Sequence, residues 1–207
     1  MQKQYKKVGC DFDHVPFPFI EEYLKYHKDL FGDGLTIKDI HSYHLWEVLG
    51  GTPEYHQGLI PDFYHSGALA NIAPHPYAQK TISMMSKWST LFNITSRSEE
   101  MKGQPIMLLE KHFPQQFEAL FLTNTYGRKI SRNISKADVC LDFGIDLMID
   151  DHVQTVLECA QVGIDCILFG DYGWTNPRNL PPNVVHKKNW FEVYNHLAPV
   201  RLPSHRV

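Results

Sequence analysis

Two aspartates, Asp11 and Asp13, follow a short apolar run near the start of the chain. Side chains two positions apart on an extended segment point to the same side, so both carboxylates are predicted to face one pocket. Two carboxylates this close repel each other unless a cation joins them or one takes a proton. Mg²⁺ fits because it prefers carboxylate oxygen, and one carboxylate could also act as a nucleophile that forms an aspartyl-phosphate. An ordinary polar turn at the end of a strand would use the same residues.

Two further segments carry groups that can bind phosphate. The apolar run 91–94 ends in two hydroxyls, Thr95 and Ser96, and the free backbone N–H groups of a helix or loop opening there would also favour an anion. Ordinary helix capping would use the same hydroxyls. Lys136 supplies a cation near the start of a predicted helix. Arg97 can reach the phosphate or the surrounding segment, although a surface arginine is the usual case.

A second acid pair, Asp150 and Asp151, ends another apolar run that starts at Ile145. The order along the chain is therefore acid pair, hydroxyls, lysine and acid pair, and three of these four groups stand at the ends of predicted strands. Ligands of open α/β sheets bind outside the carboxyl ends of the strands. The four segments are thus predicted to bring a nucleophile, phosphate donors, a cation and a metal site to one place.

The elements that must position these groups alternate along the chain. Alternation of apolar strands with helices predicts an α/β fold, a mostly parallel sheet with helices on both faces. The stretch 14–75 carries three predicted helices and is inserted between the first two core strands, so it is predicted to form a small helical cap on a core of residues 1–13 and 76–207. The predicted strands are 5–13, 89–95, 117–123, 145–150 and 165–169, and the predicted helices are 18–31, 36–49, 53–65, 77–88, 103–112, 135–142, 152–162 and 188–197.

In this order the four segments resemble the motifs of the haloacid dehalogenase (HAD) superfamily, the phosphoaspartate phosphatases. The resemblance covers all four short motifs, between positions 8 and 151. The helical insertion and the ending Ile149-Asp150-Asp151 resemble the 5′(3′)-deoxyribonucleotidase branch. The resemblance implies a Rossmann-like core with a helical cap and Mg²⁺ as cofactor. The family often has Gly after the second Asp, where this chain has His14, a residue that could narrow the pocket, contact the substrate or be a tolerated variant.

The resemblance also implies roles for individual residues. Asp11 would be the nucleophile, and Asp13 would protonate the leaving alcohol and later activate water. Lys136 matches the motif lysine, with Lys129 as the alternative. Phe19 would stack on a nucleotide base, with core packing of the cap as the alternative. The other predicted contacts are Thr95, Ser96 and Arg97 for the phosphate, and Asp11, Asp13, Asp150 and Asp151 for the metal.

The predicted activity is that of a Mg²⁺-dependent phosphomonoesterase acting through a phosphoaspartate on nucleoside monophosphates. Sugar phosphates or other small phosphate esters are the alternative substrates. A regulatory protein that kept the phosphate site and lost turnover is the alternative class, which the full set of required side chains disfavours.

Composition narrows the type of protein and the partners that the sequence allows. A chain of 207 residues that is 43% hydrophobic can form an ordinary core plus an insertion. Its net charge of −3 and the lack of a basic stripe predict no nucleic-acid partner, and no run approaches the ~20 apolar residues of a membrane span. Four cysteines without a Cys-x-x-Cys pair favour buried, reduced thiols in a cytoplasmic protein. The oligomeric state is open, with a homodimer as one alternative.

Overall fold

The computed structural model describes residues 3–124, 134–176 and 178–198. Within these ranges helices and strands alternate from residue 78 to residue 169. The strands are β1 (Lys7–Cys10), β2 (Thr90–Thr95), β3 (Ala119–Leu122), β4 (Leu147–Asp150), β5 (Asp165–Phe169) and β6 (Val184–Lys187). The helices are α1 (Phe19–Phe31), α2 (Trp46–Leu49), α3 (Pro53–His65), α4 (Ala78–Met85), α5 (Gly103–His112), α6 (Lys136–Phe143), α7 (Val153–Gln161) and α8 (Trp190–Leu197).

The strands form one sheet in the order β3-β2-β1-β4-β5-β6, and every pairing between neighbours is parallel. Side chains alternate between the two faces of the sheet. In β4, Leu147 and Ile149 belong to one buried cluster, whereas Met148 belongs to a second one. Helices α4 and α8 contribute to the first cluster, and α6 and α7 contribute to the second. The predicted α/β fold, with a parallel sheet and helices on both faces, is confirmed.

The sheet departs from the predicted strands at two places. The strand predicted over 5–13 ends at Cys10, although the Asp11 N–H still donates to the Ile149 carbonyl at 2.9 Å. Strand β6 follows a segment rich in proline and asparagine, and its four residues are too few to produce a recognisable alternation. The sequence also predicts that the final ten residues are loosely held, and all of them except Ala198 lie outside the described residues. All four cysteines are buried and free, as expected.

The segment between β1 and α4 carries α1, α2 and α3. The prediction of a helix over 53–65 agrees with α3, and the Thr52 hydroxyl accepts from the Tyr55 N–H as an N-cap. The prediction of one helix over 36–49 is wrong. A 3₁₀ turn at Ile37–Asp39 ends at Ile40, which adopts an extended conformation and is fully buried. Burial of Ile40 in that conformation outweighs the helical spacing of the apolar residues.

This segment packs tightly on the rest of the chain. Phe17, Tyr23 and Phe63 share one buried cluster with residues of β1, β2 and β4. A Cβ on Gly173, in the loop after β5, would lie 2.3 Å from the carbonyl oxygen of Ile40. Backbone therefore touches backbone at this point, which only glycine permits. The division into a core and a cap of residues 14–75 stays a prediction.

We expect Gly173→Ala to destabilise the protein by about 1–3 kcal/mol, the usual cost of overpacking a rigid contact. The added methyl has backbone atoms in its way, namely Ile40 O at 2.3 Å and His41 Cα at 2.7 Å. The measurement is denaturant unfolding. Gly34→Ala is the matched control because a Cβ there meets nothing within 4 Å. Equal stability of the two variants would contradict the close approach.

Candidate active site

The predicted site residues meet at the carboxyl ends of three adjacent strands. Asp11 directly follows β1, Thr95 ends β2 and Asp150 ends β4. From β1 the chain adds strands on one side of the sheet, and from β4 it adds them on the other side. The strand order therefore reverses between β1 and β4, which is where open α/β sheets form a ligand crevice. Asp11 and Asp150 flank this point.

Lys136 joins these two aspartates. Its Nζ lies 2.6 Å from Asp11 Oδ1 and 2.8 Å from Asp150 Oδ2. Lys136 is the first residue of α6, whose start is capped by reciprocal hydrogen bonds between Ser135 and Asp138. Burial by itself would lower the pKa of Lys136, but the charges of Asp11 and Asp150 raise it above its ordinary value. The ammonium group is thus held protonated between two carboxylates.

Three carboxylates form a potential metal site. Asp11, Asp150 and Asp151 each offer an oxygen, all lie within 4.8 Å of one another, and all three residues are buried. Asp151 is held from the outside by Trp174, whose indole N–H donates to its Oδ2 at 2.8 Å. Buried oxygen ligands of this kind are what Mg²⁺ prefers. The residues therefore fit the predicted metal.

The charges of the three carboxylates exceed what Lys136 can neutralise. Burial raises the pKa of Asp11 to about 7; Lys136 opposes this shift, and the charges of Asp150 and Asp13 add to it. Burial and the charge of Asp150 likewise raise the pKa of Asp151 well above its usual range. A divalent cation would relieve this repulsion.

Asp13, the fourth carboxylate of the predicted metal set, pairs with Arg97 instead. The Arg97 Nε–H donates to Asp13 Oδ2 at 2.9 Å and its Nη2–H donates to Oδ1 at 2.6 Å. A third N–H group donates to Gln104 Oε1 at 3.1 Å. The structure thus places Arg97 against the predicted general acid, in a planar two-bond geometry typical of arginine and carboxylate.

The two predicted phosphate hydroxyls occupy different positions. Thr95 is fully buried, and its hydroxyl accepts from the backbone N–H of Arg97 at 3.3 Å. Ser96 is half-buried and lies with Ser98 on the wall of a cavity that opens above Asp11. Ser96 is therefore the more accessible donor.

The alternative lysine, Lys129, lies outside the described residues.

This cavity has a volume of about 660 Å³. Phe19 contributes to its wall but is only 8% exposed, and it packs edge-on against Phe63 at a centroid distance of 5.4 Å. Both predicted roles of Phe19 are thus compatible with its position. The wall also includes Asp11, Asp13, His14, Ser42, Tyr43, His44, Trp46, His56, Tyr64, His65, Glu100, Gln104 and Trp174.

His14 occupies the position where the HAD motif often has glycine. Its φ of 61° lies in the left-handed region, which glycine adopts without steric cost. The His14 carbonyl accepts from the Tyr172 hydroxyl at 2.7 Å, and its ring packs against Phe19 and Trp174. Burial lowers the pKa of His14 to about 4. His14 is therefore a neutral wall residue.

Sequence reasoning missed three residues that hold the site together. Asn93 is fully buried in β2, and its Nδ2 donates to the carbonyls of Cys10 and Asp11 at 3.1 and 3.2 Å. An amide inside an apolar strand was the available signal. No sequence signal marks Trp174 or Gln104, because their partners Asp151 and Arg97 are brought to them only by the fold.

Solved structures of the haloacid dehalogenase superfamily share this architecture. A haloacid dehalogenase-like family hydrolase from Streptococcus pneumoniae matches with a TM-score of 0.66 and 13% sequence identity, over 93% of this chain and 98% of that chain. The HAD-hydrolase YfnB from Bacillus subtilis, described as bound to magnesium, matches with a TM-score of 0.56 and 16% identity, over 94% and 99%. Protein Tyrosine Kinase A (PtkA) from Mycobacterium tuberculosis matches with a TM-score of 0.67 and 16% identity, over 95% and 100%.

These similarities establish the fold, which is the Rossmann-like architecture seen in HAD hydrolases. No protein-family model and no curated protein matches the sequence. The similar structures carry the names of hydrolases and of a kinase, so the reaction must be inferred from the residues of this chain. The deoxyribonucleotidase branch stays a prediction. Within the described residues, no helix is both long and apolar enough to cross a membrane.

We expect Mg²⁺ to raise the melting temperature, and to do so more at about pH 8 than at about pH 5.5. The pKa of Asp11 rises from 3.8 to about 7 on folding, so in the metal-free protein its stabilising contribution is present below 3.8 and is lost as the pH rises to about 7. At the lower pH the metal must displace protons from Asp11 and Asp151, the carboxyl groups whose pKa values are raised, and this weakens its binding.

The measurement is thermal unfolding with and without MgCl₂, with KCl at equal ionic strength as the salt control. Asp150→Asn should remove most of the Mg²⁺ response, because it deletes one charge of the three-carboxylate group. A stabilisation that is the same in this variant, or is independent of pH, would contradict the proposed ligands.

Proposed function

We propose that the protein is a Mg²⁺-dependent phosphomonoesterase that acts through a phosphoaspartate on Asp11. The observation that carries the proposal is the buried group in which Lys136 bonds both Asp11 and Asp150 while Asp151 lies within ligand distance. It combines a nucleophile, a cation and a set of oxygen ligands beside a cavity. Phosphoryl transfer depends mainly on such positioning and charge neutralisation.

The roles of the residues follow from their positions. An Asp11 oxygen attacks phosphorus, the bond from phosphorus to the ester oxygen breaks, and Asp13 donates a proton to the leaving alcohol. Water then attacks the acyl phosphate, Asp13 takes its proton, and Asp11 and inorganic phosphate are regenerated. Lys136 neutralises charge next to Asp11 in both steps. Mg²⁺ held by Asp11, Asp150 and Asp151 would supply further neutralisation of the phosphoryl oxygens.

We assign phosphate binding to Ser96 on the cavity wall and to the turn that Thr95 and Arg97 form behind it. The Thr95 hydroxyl fixes this turn through its bond from the Arg97 N–H. Residues 14–75 act as a cap in this proposal. They supply Phe19, Trp46 and Tyr64 to the wall, so they keep bulk water from the reacting atoms.

The favoured substrates are nucleoside monophosphates. A cavity of about 660 Å³ has room for a nucleoside, and several of its wall residues carry flat aromatic rings. Among the described wall residues Arg97 is the one lysine or arginine, and Asp13 already neutralises it. Glu100 adds a further carboxylate to the wall. This charge balance favours a single phosphate on an uncharged alcohol over esters that carry a second phosphate.

We expect Asp11→Asn to lower the hydrolysis of p-nitrophenyl phosphate by on the order of 10³-fold or more, because the amide is not a competent nucleophile. Release of p-nitrophenolate in the presence of Mg²⁺ measures the activity, and circular dichroism checks the fold. Asp142→Asn is the matched control, since Asp142 is exposed on α6. Near-normal turnover by a folded Asp11→Asn protein would remove Asp11 as nucleophile.

We expect Phe19→Leu to lower kcat/KM for nucleoside monophosphates by roughly 5- to 150-fold. This corresponds to a loss of ~1–3 kcal/mol in binding free energy, the scale of base–aromatic stacking. Glycerol phosphate, which has no base to stack on Phe19, should lose much less. Phe63→Leu is the control, because Phe63 packs against Phe19 but is fully buried. If Phe19→Leu lowers kcat/KM equally for both substrates, Phe19 only packs the cap. If glycerol phosphate or sugar phosphates are the better wild-type substrates, the alternative substrate class holds.

A further inference from the structure

The guanidinium of Arg97 is enclosed by aromatic rings. Its central carbon lies 4.6 Å from the centroid of Phe12, 4.5 Å from that of Tyr64 and 5.5 Å from that of Phe19. Arg97 is only 5% exposed. A guanidinium tolerates such a site because it is weakly hydrated and is attracted to the faces of aromatic rings. Burial and these rings therefore restrict where its N–H groups can point.

Those N–H groups in turn restrict Asp13. Each Asp13 oxygen accepts one bond from Arg97, and an ionised carboxylate oxygen has a second lone pair. The Asp13 side chain remains 22% exposed and lies with Asp11 on the cavity wall. The bond pattern therefore orients the carboxyl group and leaves one lone pair on each oxygen free to carry the proton that Asp13 donates. A proton donor beside Asp11 needs such an orientation.

The three rings come from different parts of the chain. Phe12 lies between Asp11 and Asp13, and Phe19 begins α1. Tyr64, by contrast, lies near the end of α3, more than fifty positions from Asp13 in the sequence. Its ring lies as close to Arg97 as that of Phe12 and closer than that of Phe19. The contact of α3 with Arg97 is thus a tertiary restraint on the orientation of Asp13.

We propose that Tyr64 is a positioning residue for Asp13, acting through Arg97. This inference rests on the proposed phosphatase function. The effect of losing this positioning depends on the leaving group of the substrate. An alkyl alcohol leaves poorly without a proton from Asp13, whereas p-nitrophenolate leaves readily without one. Loss of the Tyr64 ring should therefore impair alkyl phosphates much more than p-nitrophenyl phosphate.

The test compares kcat/KM of Tyr64→Leu for glycerol phosphate and for p-nitrophenyl phosphate. We expect a loss of about 10-fold for the alkyl ester and less than about 2-fold for the aryl ester. If Tyr64 instead contacted the substrate directly, its ring would stack on the aryl group. The aryl ester would then lose more activity than the alkyl ester. Tyr64→Phe, which keeps the ring, should restore the wild-type ratio. Tyr26→Leu is the matched control, since Tyr26 is a half-buried ring that packs on Phe63.

A second measurement does not depend on turnover. The Nε–H cross-peak of Arg97 in a heteronuclear NMR spectrum, assigned by its loss in Arg97→Lys, should exchange slowly with solvent in the wild type, Tyr64→Phe and Tyr26→Leu. It should exchange fast or broaden in Tyr64→Leu. An unchanged cross-peak, or equal losses for both esters, would overturn the inference. Absence of any wild-type phosphatase activity would instead refute the proposed function, and the cross-peak would still decide whether Tyr64 restrains Arg97.

Discussion

The buried contact of Lys136 with Asp11 and Asp150 is the interaction on which the rest of the site depends. A buried ammonium without partners would lose its proton, and the buried carboxylates without a cation would take one. Together they form two close contacts, with Nζ–oxygen distances of 2.6 and 2.8 Å. Yet one cation among three carboxylates leaves a negative excess. That excess is the physical reason to infer a divalent ion at this place.

The fold holds these charges at short range by several independent restraints. Asp11 and Asp150 are fixed by adjacent parallel strands, and Lys136 is fixed by the first turn of a capped helix. The Asn93 amide holds the carbonyls at the end of β1, and the Trp174 indole holds Asp151. Each restraint satisfies a buried polar group that would otherwise be costly. The positions of the site residues are thus set by contacts within the protein itself.

Asp13 has its own cationic partner, unlike the group of Asp11, Asp150 and Asp151. Its charge is balanced within the protein by Arg97, whereas the charge of the three-carboxylate group is not. Because Asp13 already has a cationic partner, it adds no uncompensated charge to the three-carboxylate group. The division between the two kinds of carboxylate follows from one arginine, and that arginine is held by a ring on α3.

The sequence by itself determined the α/β class, most strands and helices, and the set of chemical groups at the strand ends. Local patterns carry this information, because apolar periodicity and capping residues act over a few positions. It failed where tertiary burial overrode local spacing, as at Ile40 in the predicted helix 36–49, and where a strand was too short to show a pattern, as in β6.

Only the tertiary structure decided which groups meet. It separated Asp13 from the other carboxylates, placed Ser96 on the cavity wall with Thr95 behind it, and brought Trp174, Gln104 and Tyr64 to the site. Most of these contacts join residues that are distant in sequence. Their geometry follows from how the helices after β1 and the loop after β5 pack over the sheet. No local pattern encodes that packing, because it is set by the shapes of many buried side chains at once.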